Sequence, residues 1–179
     1  MKNIPALDPK VLDLVTEISK EPKVEAAMAF IKDQTEVAMQ EQIELCEIEA
    51  PTFHEEKRAA SVAERMKQYG LTDVHIDEIG NVIGIRKGTG NGPVLAIGAH
   101  MDSVFPAGTD VKVKKEGNIY RAPGIGDNCS GLRALLQVLR AMEKEDISTV
   151  GDIWVVGTVG EEGNGDIRGS KHLCANNKL

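Results

Sequence analysis

The 179-residue chain is poor in aromatic residues and in cysteine, and each shortage limits what the protein can do. Aromatic residues make up 3% of the sequence, which weakens any model of ligand recognition that depends on stacking. The three cysteines, Cys46, Cys129 and Cys174, are odd in number and are not spaced like the ligands of a cysteine zinc site. We therefore expect neither a disulfide framework nor cysteine-bound zinc, and we predict reduced thiols.

The chain also lacks a cluster of basic residues and a long apolar run. Its net charge of −7 argues against binding to nucleic acid or another polyanion. No apolar segment has the length of a membrane span, and the N-terminus MKNIPALDPK lacks the hydrophobic core of a signal peptide. We predict a cytoplasmic protein without a nucleic-acid or membrane partner. Its apolar fraction of 41% is sufficient for the core of one globular domain.

The first third of the chain has the apolar spacing of helices. The spacing predicts one helix over residues 8–20, a longer one over 22–49, and a third that begins near Glu55 and ends at Gly70. Ala50-Pro51 ends the second helix. Thr52 and Glu55 have the spacing of a capping box for the third.

From residue 74 onwards the apolar period changes from about 3.6 to 2, which indicates strands. Residues 74–76 and 82–85 are predicted to form an antiparallel pair. Residues 94–99 and 153–159 are apolar throughout, which is typical of strands buried on both faces. A helix predicted over 128–143 lies between them, so these two strands can be parallel neighbours joined by a crossover. The fold class is therefore α/β, with a mixed β-sheet between helices.

Two further segments give weaker signals. The long connection over residues 105–126 contains one weak hairpin pattern, with Glu116-Gly117-Asn118 at its turn. The tail RGSKHLCANNKL is predicted to contain no complete element.

Polar residues follow both buried strands and also precede the helix between them. His100 and Asp102 come after the first strand, and their i, i+2 spacing directs both to one face. Asp127 lies in a glycine-flanked turn, and Glu161 and Glu162 follow the second strand. If the strands are adjacent, all five side chains meet at one edge of the sheet. Four carboxylates that close would repel each other unless cations neutralise them, so one or two divalent metals such as zinc, manganese or cobalt are expected.

Each polar group also has an ordinary structural explanation. His100 could be a hydrogen-bonded core histidine, and Asp127 could cap the following helix. Glu161 and Glu162 could occupy a solvated turn. The metal-site hypothesis depends on their joint occurrence where apolar elements end.

The other histidines and the glycine-rich segments carry less information. His54 and His75 are predicted to be surface residues, whereas His172 in the tail is left open. The segments GTGNG and 160–165 do not open a helix with the spacing of a phosphate loop, so no dinucleotide site is expected.

Three segments together resemble a known family. GAHMDSV, APGIGDNCSGL and TVGEEGNGDIRG are similar in order, interval and flanking glycines to the metal-site signatures of the M20 metallopeptidases. That family includes aminoacylases, di- and tripeptidases and N-acyl amino-acid deacylases. The resemblance covers roughly residues 35–170 and implies a zinc-exopeptidase-like catalytic domain. It also implies a metal-dependent hydrolase, with aminopeptidase or deacylase activity on small peptides or N-acyl amino acids.

The roles that the family assigns fall on the five residues already singled out. By this resemblance, His100 and Glu162 are ligands of separate metal ions, and Asp127 bridges the two. Glu161 is the general base and acid, and Asp102 orients the site. The resemblance implies two zinc ions in a complete site, with cobalt or manganese as alternatives. It also implies a cis peptide bond directly after Asp127.

The family pattern continues beyond the residues of this sequence. Members have a further carboxylate ligand after the third segment, then a small dimerisation domain, and finally a closing histidine ligand. None of these occurs before Leu179. We therefore expect residues 1–179 to be one truncated catalytic domain with weak or no activity alone. Within it, residues 1–50 form N-terminal helices and residues 51–179 form the α/β metal-site core.

The resemblance also bears on the oligomeric state, and there is an alternative hypothesis for the function. The resemblance implies a homodimer for the full-length form, and the uncovered surface of a truncated domain allows self-association of the fragment. The alternative hypothesis is a non-catalytic binding or oligomerising module that keeps the fold.

Overall fold

The architecture is a mixed β-sheet with helices packed against it, in a computed structural model that describes residues 8–175. In chain order the elements are α1 (Pro9–Ile18), α2 (Pro22–Asp33), α3 (Thr35–Cys46), α4 (Glu56–Gln68), β1 (Thr72–Ile76), β2 (Val82–Arg86), β3 (Leu95–His100), β4 (Lys114–Glu116), β5 (Ile119–Arg121), α5 (Cys129–Lys144), β6 (Ile153–Thr158) and α6 (Arg168–Ala175). The predicted α/β class is confirmed. The predictions for the start of MKNIPALDPK and for the last four residues of the tail lie outside the described residues.

The main sheet has the strand order β1-β2-β6-β3. The predicted pair β1 and β2 is antiparallel, and β2 is also antiparallel to β6. β6 is parallel to β3, with Leu95 opposite Ile153 and His100 opposite Thr158. The sheet is therefore mixed, as predicted, and α5 makes the predicted crossover. Because β3 and β6 end side by side, the residues that follow them emerge at the same edge.

The main core lies between one face of the sheet and three helices. α4 packs on β1 and β2, α5 packs on β3, and α3 packs on α5. The fully buried side chains include Leu45, Met66, Leu132, Leu136 and Val155. Burial of each such side chain stabilises the fold by roughly 1.5–3 kcal/mol. This core fixes the relative positions of the strand ends that carry the predicted site.

β3 differs from the prediction that it is buried on both faces. It is the edge strand of the sheet, and Leu95 is 56% exposed. β6, with the same kind of apolar sequence, is central, and its Val155 and Val156 are buried. An apolar run alone does not tell an edge strand from a central one, because the difference depends on which elements cover it.

The long helix predicted over residues 22–49 is two helices. α2 ends at Asp33 and α3 begins at Thr35, so only Gln34 separates them. The Thr35 hydroxyl donates to the carbonyl oxygen of Lys32 at 2.6 Å. This side-chain hydrogen bond competes with regular helix bonding, which the apolar spacing does not reveal.

The prediction that the tail contains no complete element is also wrong. Within the described residues it forms α6, whose Leu173 packs with Ile83 and Val156 on the second face of the sheet. A helix of eight residues has little stability of its own, so tertiary contact accounts for it.

Three further local predictions are confirmed. α1 forms with Pro9 in its first turn, and the weak hairpin signal corresponds to β4 and β5. α4 is followed by Gly70 with a φ of 79°, a left-handed conformation that glycine adopts readily at a helix end. No helix among residues 8–175 combines the length and the apolar character that a bilayer crossing requires.

Candidate metal centre

The structure brings the five predicted residues together at the ends of β3 and β6. His100 is the last residue of β3, and its Nε2 lies 3.0 Å from Oδ1 of Asp127 and 3.8 Å from Oε2 of Glu161. On the other side of the ring, Nδ1 lies 3.5 Å from Oδ1 of Asp102. One imidazole therefore has carboxylates at both of its nitrogens.

His100, Asp127 and Glu162 form a group with the composition of a metal centre. One potential ligand atom from each of the three lies within 4.8 Å of the other two. His100 and Glu162 are partly buried, whereas Asp127 is exposed. Imidazole and carboxylate ligands suit zinc and the neighbouring divalent transition metals. The residues present therefore fit a divalent cation, and none of the three is adjacent to another in the sequence.

Asp127 does not have the capping role that was its ordinary explanation. The cap of α5 is Asn128, whose side-chain oxygen accepts the backbone N–H of Gly131 at 3.1 Å. The peptide bond between Asp127 and Asn128 is cis, as the family resemblance implied. With the cap supplied by its neighbour, the Asp127 carboxylate is left to face His100.

Asp102 anchors the loop that carries the two glutamates. Its carboxylate is fully buried and accepts the backbone N–H groups of Glu161 at 2.9 Å and Glu162 at 3.0 Å, together with the Thr52 hydroxyl at 3.0 Å. Burial alone would raise the pKa of Asp102, but the bonds from His100, the two backbone N–H groups and Thr52 lower it to about 2. Asp102 therefore stays ionised and orients both His100 and the Glu161–Glu162 backbone.

The electrostatics of the group favour an added positive charge. Burial lowers the pKa of His100, but its bonds with Asp102 and Asp127 and its attraction to Glu161 outweigh that effect and raise the pKa to about 9. Burial and repulsion from Asp127 raise the pKa of Glu162. The neighbouring carboxylates contribute to both shifts, since they attract the proton of His100 and repel the charge of Glu162. A bound cation would offset their negative charge.

Sequence reasoning missed the buried Arg58, which supports the same strand end. Its Nη1 donates to the carbonyl oxygen of Met101 at 2.6 Å, and its Nη2 donates to that of Ile48 at 2.5 Å. Met101 lies between His100 and Asp102, so this guanidinium fixes the backbone between two site residues. The sequence contains no local signal for this, because arginine on a helix is usually a surface residue.

His172, left open by the sequence, lies in a different group. Its Nε2 is 2.9 Å from Oε1 of Glu78 and 3.9 Å from Oδ2 of Asp77. Asp77 already accepts the backbone N–H groups of three turn residues and the side-chain amide of Asn81. Asp77 thus serves the turn between β1 and β2, and we do not assign this group to the candidate centre. His54 and His75 are exposed, as predicted.

A groove of about 380 Å³ runs from the candidate centre along the open face of β3. His100 and Glu161 lie at one end, and Gly98, Val156 and Leu173 contribute to its apolar part. Sites for small molecules typically combine apolar walls with a few polar groups in this way. A larger cleft of about 640 Å³ between α3 and α4 contains none of the five residues. The groove beside His100 is therefore the better candidate for a small-molecule binding site.

Part of this chain is similar to a known protein family and to several curated proteins. Residues 96–179 match the family model described as Peptidase family M20/M25/M40. A Pyrococcus abyssi protein named as a LysW-lysine/LysW-ornithine hydrolase is 34% identical over 120 residues, which is 67% of this chain and 32% of the relative. A Pyrobaculum aerophilum protein with the same name is 40% identical over 90 residues, or 50% of this chain and 25% of the relative. The matched segments of the chain span about a third or less of the length of these curated relatives.

Solved structures agree with the family match. A tripeptidase from Staphylococcus aureus has a TM-score of 0.59 and 28% sequence identity, over 73% of this chain and 40% of that chain. The dipeptidase Dug1p from Saccharomyces cerevisiae has a TM-score of 0.69 over 85% of this chain and 37% of that chain. Its 13% identity supports the fold alone. The fold is thus that of part of a peptidase catalytic domain.

Proposed function

We propose that this chain, whose residues 96–179 match the model of the M20/M25/M40 peptidase family, is part of a metal-dependent hydrolase of peptide or N-acyl amide bonds. The observation that carries the proposal is the meeting of His100, Asp127 and Glu162 within 4.8 Å of each other. These ligand types come from three separate segments, each at the end of an apolar element. A purely structural explanation would not require all three at one edge.

The proposed ligands are His100 for one cation, Glu162 for another, and Asp127 between the two. His100 would bind through Nε2, because its Nδ1 faces Asp102, and such a carboxylate partner orients a metal-binding imidazole. Cations held there would lower the pKa of a water molecule and polarise the carbonyl group of the substrate. We propose zinc, with cobalt or manganese as alternatives.

Glu161 is the proposed general base and acid. Its carboxylate is 46% exposed and lies beside His100, so it can reach both water and substrate. It would accept a proton from the attacking water and donate it to the leaving amine. Glu162 differs because it is partly buried, which suits a fixed ligand. Asp102 holds both glutamates through their backbone N–H groups and so keeps the two roles apart.

The proposed substrates are small peptides or N-acyl amino acids. One similar solved structure is that of a tripeptidase, and the curated relatives are named as LysW-lysine/LysW-ornithine hydrolases, so both names support a hydrolytic function. We further propose that residues 1–50 are N-terminal helices of a truncated catalytic domain and that residues 51–179 are its metal-site core. A cytoplasmic location and a full-length homodimer are parts of the same proposal. The chain alone would then have weak or no activity.

Metal binding and the role of Glu161 can be tested separately. We expect isothermal titration calorimetry to detect zinc binding at micromolar concentrations or below, and His100→Ala to weaken it at least about tenfold. Amine release from a dipeptide or an N-acyl amino acid by the zinc-loaded chain should be abolished in Glu161→Gln, with zinc affinity retained. Because the chain alone is expected to have weak or no activity, the refuting result is amine release that is measurable in the wild type and equal in that variant.

The alternative is a non-catalytic binding or oligomerising module that keeps the fold. The exposed apolar side chains of β3 favour it, since Leu95 and the preceding Val94 are 56% and 48% exposed. The two functions differ in the calorimetric experiment. No zinc binding at micromolar concentrations would favour the module.

A further inference from the structure

The loop that carries Glu161 and Glu162 is held by four consecutive backbone hydrogen bonds. Starting at Val159, the N–H groups of residues 159–162 donate in turn to Oδ1 of Asn81 at 3.1 Å, Oε1 of Glu55 at 3.0 Å, Oδ1 of Asp102 at 2.9 Å and Oδ2 of Asp102 at 3.0 Å. All three acceptor residues are buried, with exposures of 0%, 4% and 0%. They come from three distant segments, so the loop is fixed from outside its own sequence.

Glu55 is the acceptor without an assigned role. The capping-box prediction for Thr52 and Glu55 is wrong, because neither side chain caps α4 and the Thr52 hydroxyl binds Asp102. Glu55 instead accepts hydrogen bonds from Arg168, whose Nη2 lies 3.0 Å from each carboxylate oxygen. The ring of Phe53 covers the guanidinium, with 4.8 Å between Cζ of Arg168 and the ring centroid. A charged partner on both oxygens fixes the carboxylate in one orientation.

This arrangement requires a glycine at position 160. A Cβ atom on Gly160 would overlap Nη1 of Arg168, and the residue has a φ of 60°, in the left-handed region. The Arg168 side chain therefore packs directly on the Gly160 backbone while its other nitrogen holds Glu55. The geometry joins Arg168, Glu55 and Gly160 into one support immediately before Glu161.

We propose that Glu55 is a positioning residue for the hydrolytic site: through the Gly160 N–H it sets the backbone from which Glu161 and Glu162 extend. The inference rests on the proposed function for its catalytic meaning, but the positioning itself is a property of the loop. A general base must lie within hydrogen-bond distance of its proton, and a displacement of about 1 Å can cost about a hundredfold in rate. Asp102 alone fixes residues 161 and 162, and Glu55 with Arg168 fixes the residue before them.

Amide hydrogen exchange, measured by NMR on the ¹⁵N-labelled metal-free chain, tests the positioning directly. In Glu55→Ala we expect exchange at Gly160, Glu161 and Glu162 to accelerate at least about tenfold, while Ile83 in β2 keeps its wild-type rate. Glu56→Ala is the matched control, because it removes the same side chain from the exposed neighbouring position. Glu55→Gln, which keeps an oxygen acceptor for Gly160, should restore part of the protection.

Two results would overturn the proposal. Unchanged exchange at residues 160–162 in Glu55→Ala would show that Glu55 does not hold the loop. An equal acceleration at Ile83 would show that Glu55 contributes only to global stability. If Glu55→Ala does not fold, Arg168→Gln decides by the same measure, since it releases the carboxylate that Gly160 donates to. Wild-type exchange at Gly160 in Arg168→Gln would then overturn the proposal.

A cobalt titration connects the positioning to the site and keeps the two proposals distinguishable. We expect Glu55→Ala to alter the visible absorption spectrum of the Co²⁺-loaded chain, because Glu162 moves relative to His100, and Glu56→Ala to leave it unchanged. An unaltered spectrum in Glu55→Ala would contradict a positioning role at the metal centre. Failure of the wild-type chain to bind Co²⁺ would refute the proposed function, whereas the exchange rates would still decide whether Glu55 holds the loop.

Discussion

Asp102 accepts three hydrogen bonds that hold the centre together, and its lowered pKa makes their contribution to stability measurable in acid. Because the folded pKa of about 2 lies below the ordinary 3.8, the stabilisation is complete above about pH 4 and is lost as the pH falls through about 2. We expect Asp102→Asn to lower the free energy of unfolding at pH 7 by about 2–4 kcal/mol, since asparagine can accept through only one side-chain atom. Urea unfolding at pH 7 and pH 3 checks this.

The control for Asp102 is Thr52→Ala, which removes one of its hydrogen bonds and should cost about 1 kcal/mol. Equal stability of Asp102→Asn and the wild type at neutral pH would contradict the anchoring role.

The raised pKa of His100 leads to the opposite pH dependence of stability, which appears at alkaline pH. Its folded pKa of about 9 lies above the ordinary 6.5, so its stabilisation of the metal-free chain is complete below about pH 6.5 and is lost as the pH rises through about 9. In the presence of a chelator, we expect the free energy of unfolding to fall by about 2–3 kcal/mol between pH 6.5 and pH 9. His100→Gln, which cannot take up a proton, should show no such fall, and the exposed-residue control His75→Gln should behave like the wild type. A parallel fall in His100→Gln would assign the effect to another group.

For single residues, the sequence predicts a role that depends on the position along one strand. It does not predict a role that depends on a partner distant in the chain. His100, Asp102, Glu161 and Glu162 could be identified because each follows an apolar run that ends. Glu55 could not, because its partners are 105 and 113 residues away in the chain. Local spacing suggested only a helix cap for it.

Among the elements, α1 and α5 have the same sequence pattern but different environments. Both are amphipathic helices, yet α1 has no buried residue and Leu12 is 57% exposed, whereas Leu136 of α5 is fully buried in the core. Apolar period predicts that a helix has one apolar face. It does not predict whether another element covers that face. The position of β3 at the sheet edge was missed for the same reason.

The two helices provide a matched pair of substitutions. Leu136→Ala should lower the free energy of unfolding by about 2–5 kcal/mol, because it leaves a cavity among residues that cannot fully collapse. Leu12→Ala should change it by less than about 0.5 kcal/mol, because the side chain is exposed. Urea denaturation followed by circular dichroism measures both. A loss of more than about 1 kcal/mol in Leu12→Ala would mean that α1 packs against the rest of the chain in solution.

For the whole molecule, the mixed sheet and its crossover follow from sequence, but the extent of the sheet does not. The alternation of strands and helices predicts parallel neighbours, and β3 and β6 are parallel as expected. Which strand lies at the edge depends on how many strands pair. The aligned segment covers only 32% of the length of one curated relative, and the surroundings of β3 in a longer protein would not be encoded in these residues.

The open edge of β3 leads to a prediction about the isolated chain. Val94 and Leu95 are exposed at the start of this strand, and Val150, shortly before β6, is 64% exposed. An uncovered strand with apolar side chains can pair with a second copy, and a lysine on such an edge prevents pairing. We therefore expect the chain to self-associate with increasing concentration in sedimentation velocity experiments, and Leu95→Lys to reduce the association. Because Leu95 is at the opposite end of β3 from His100, zinc affinity should be the same in both proteins. If Leu95→Lys associates as strongly as the wild type while Leu12→Lys does not associate, the contact is through α1 and the edge of β3 does not mediate it.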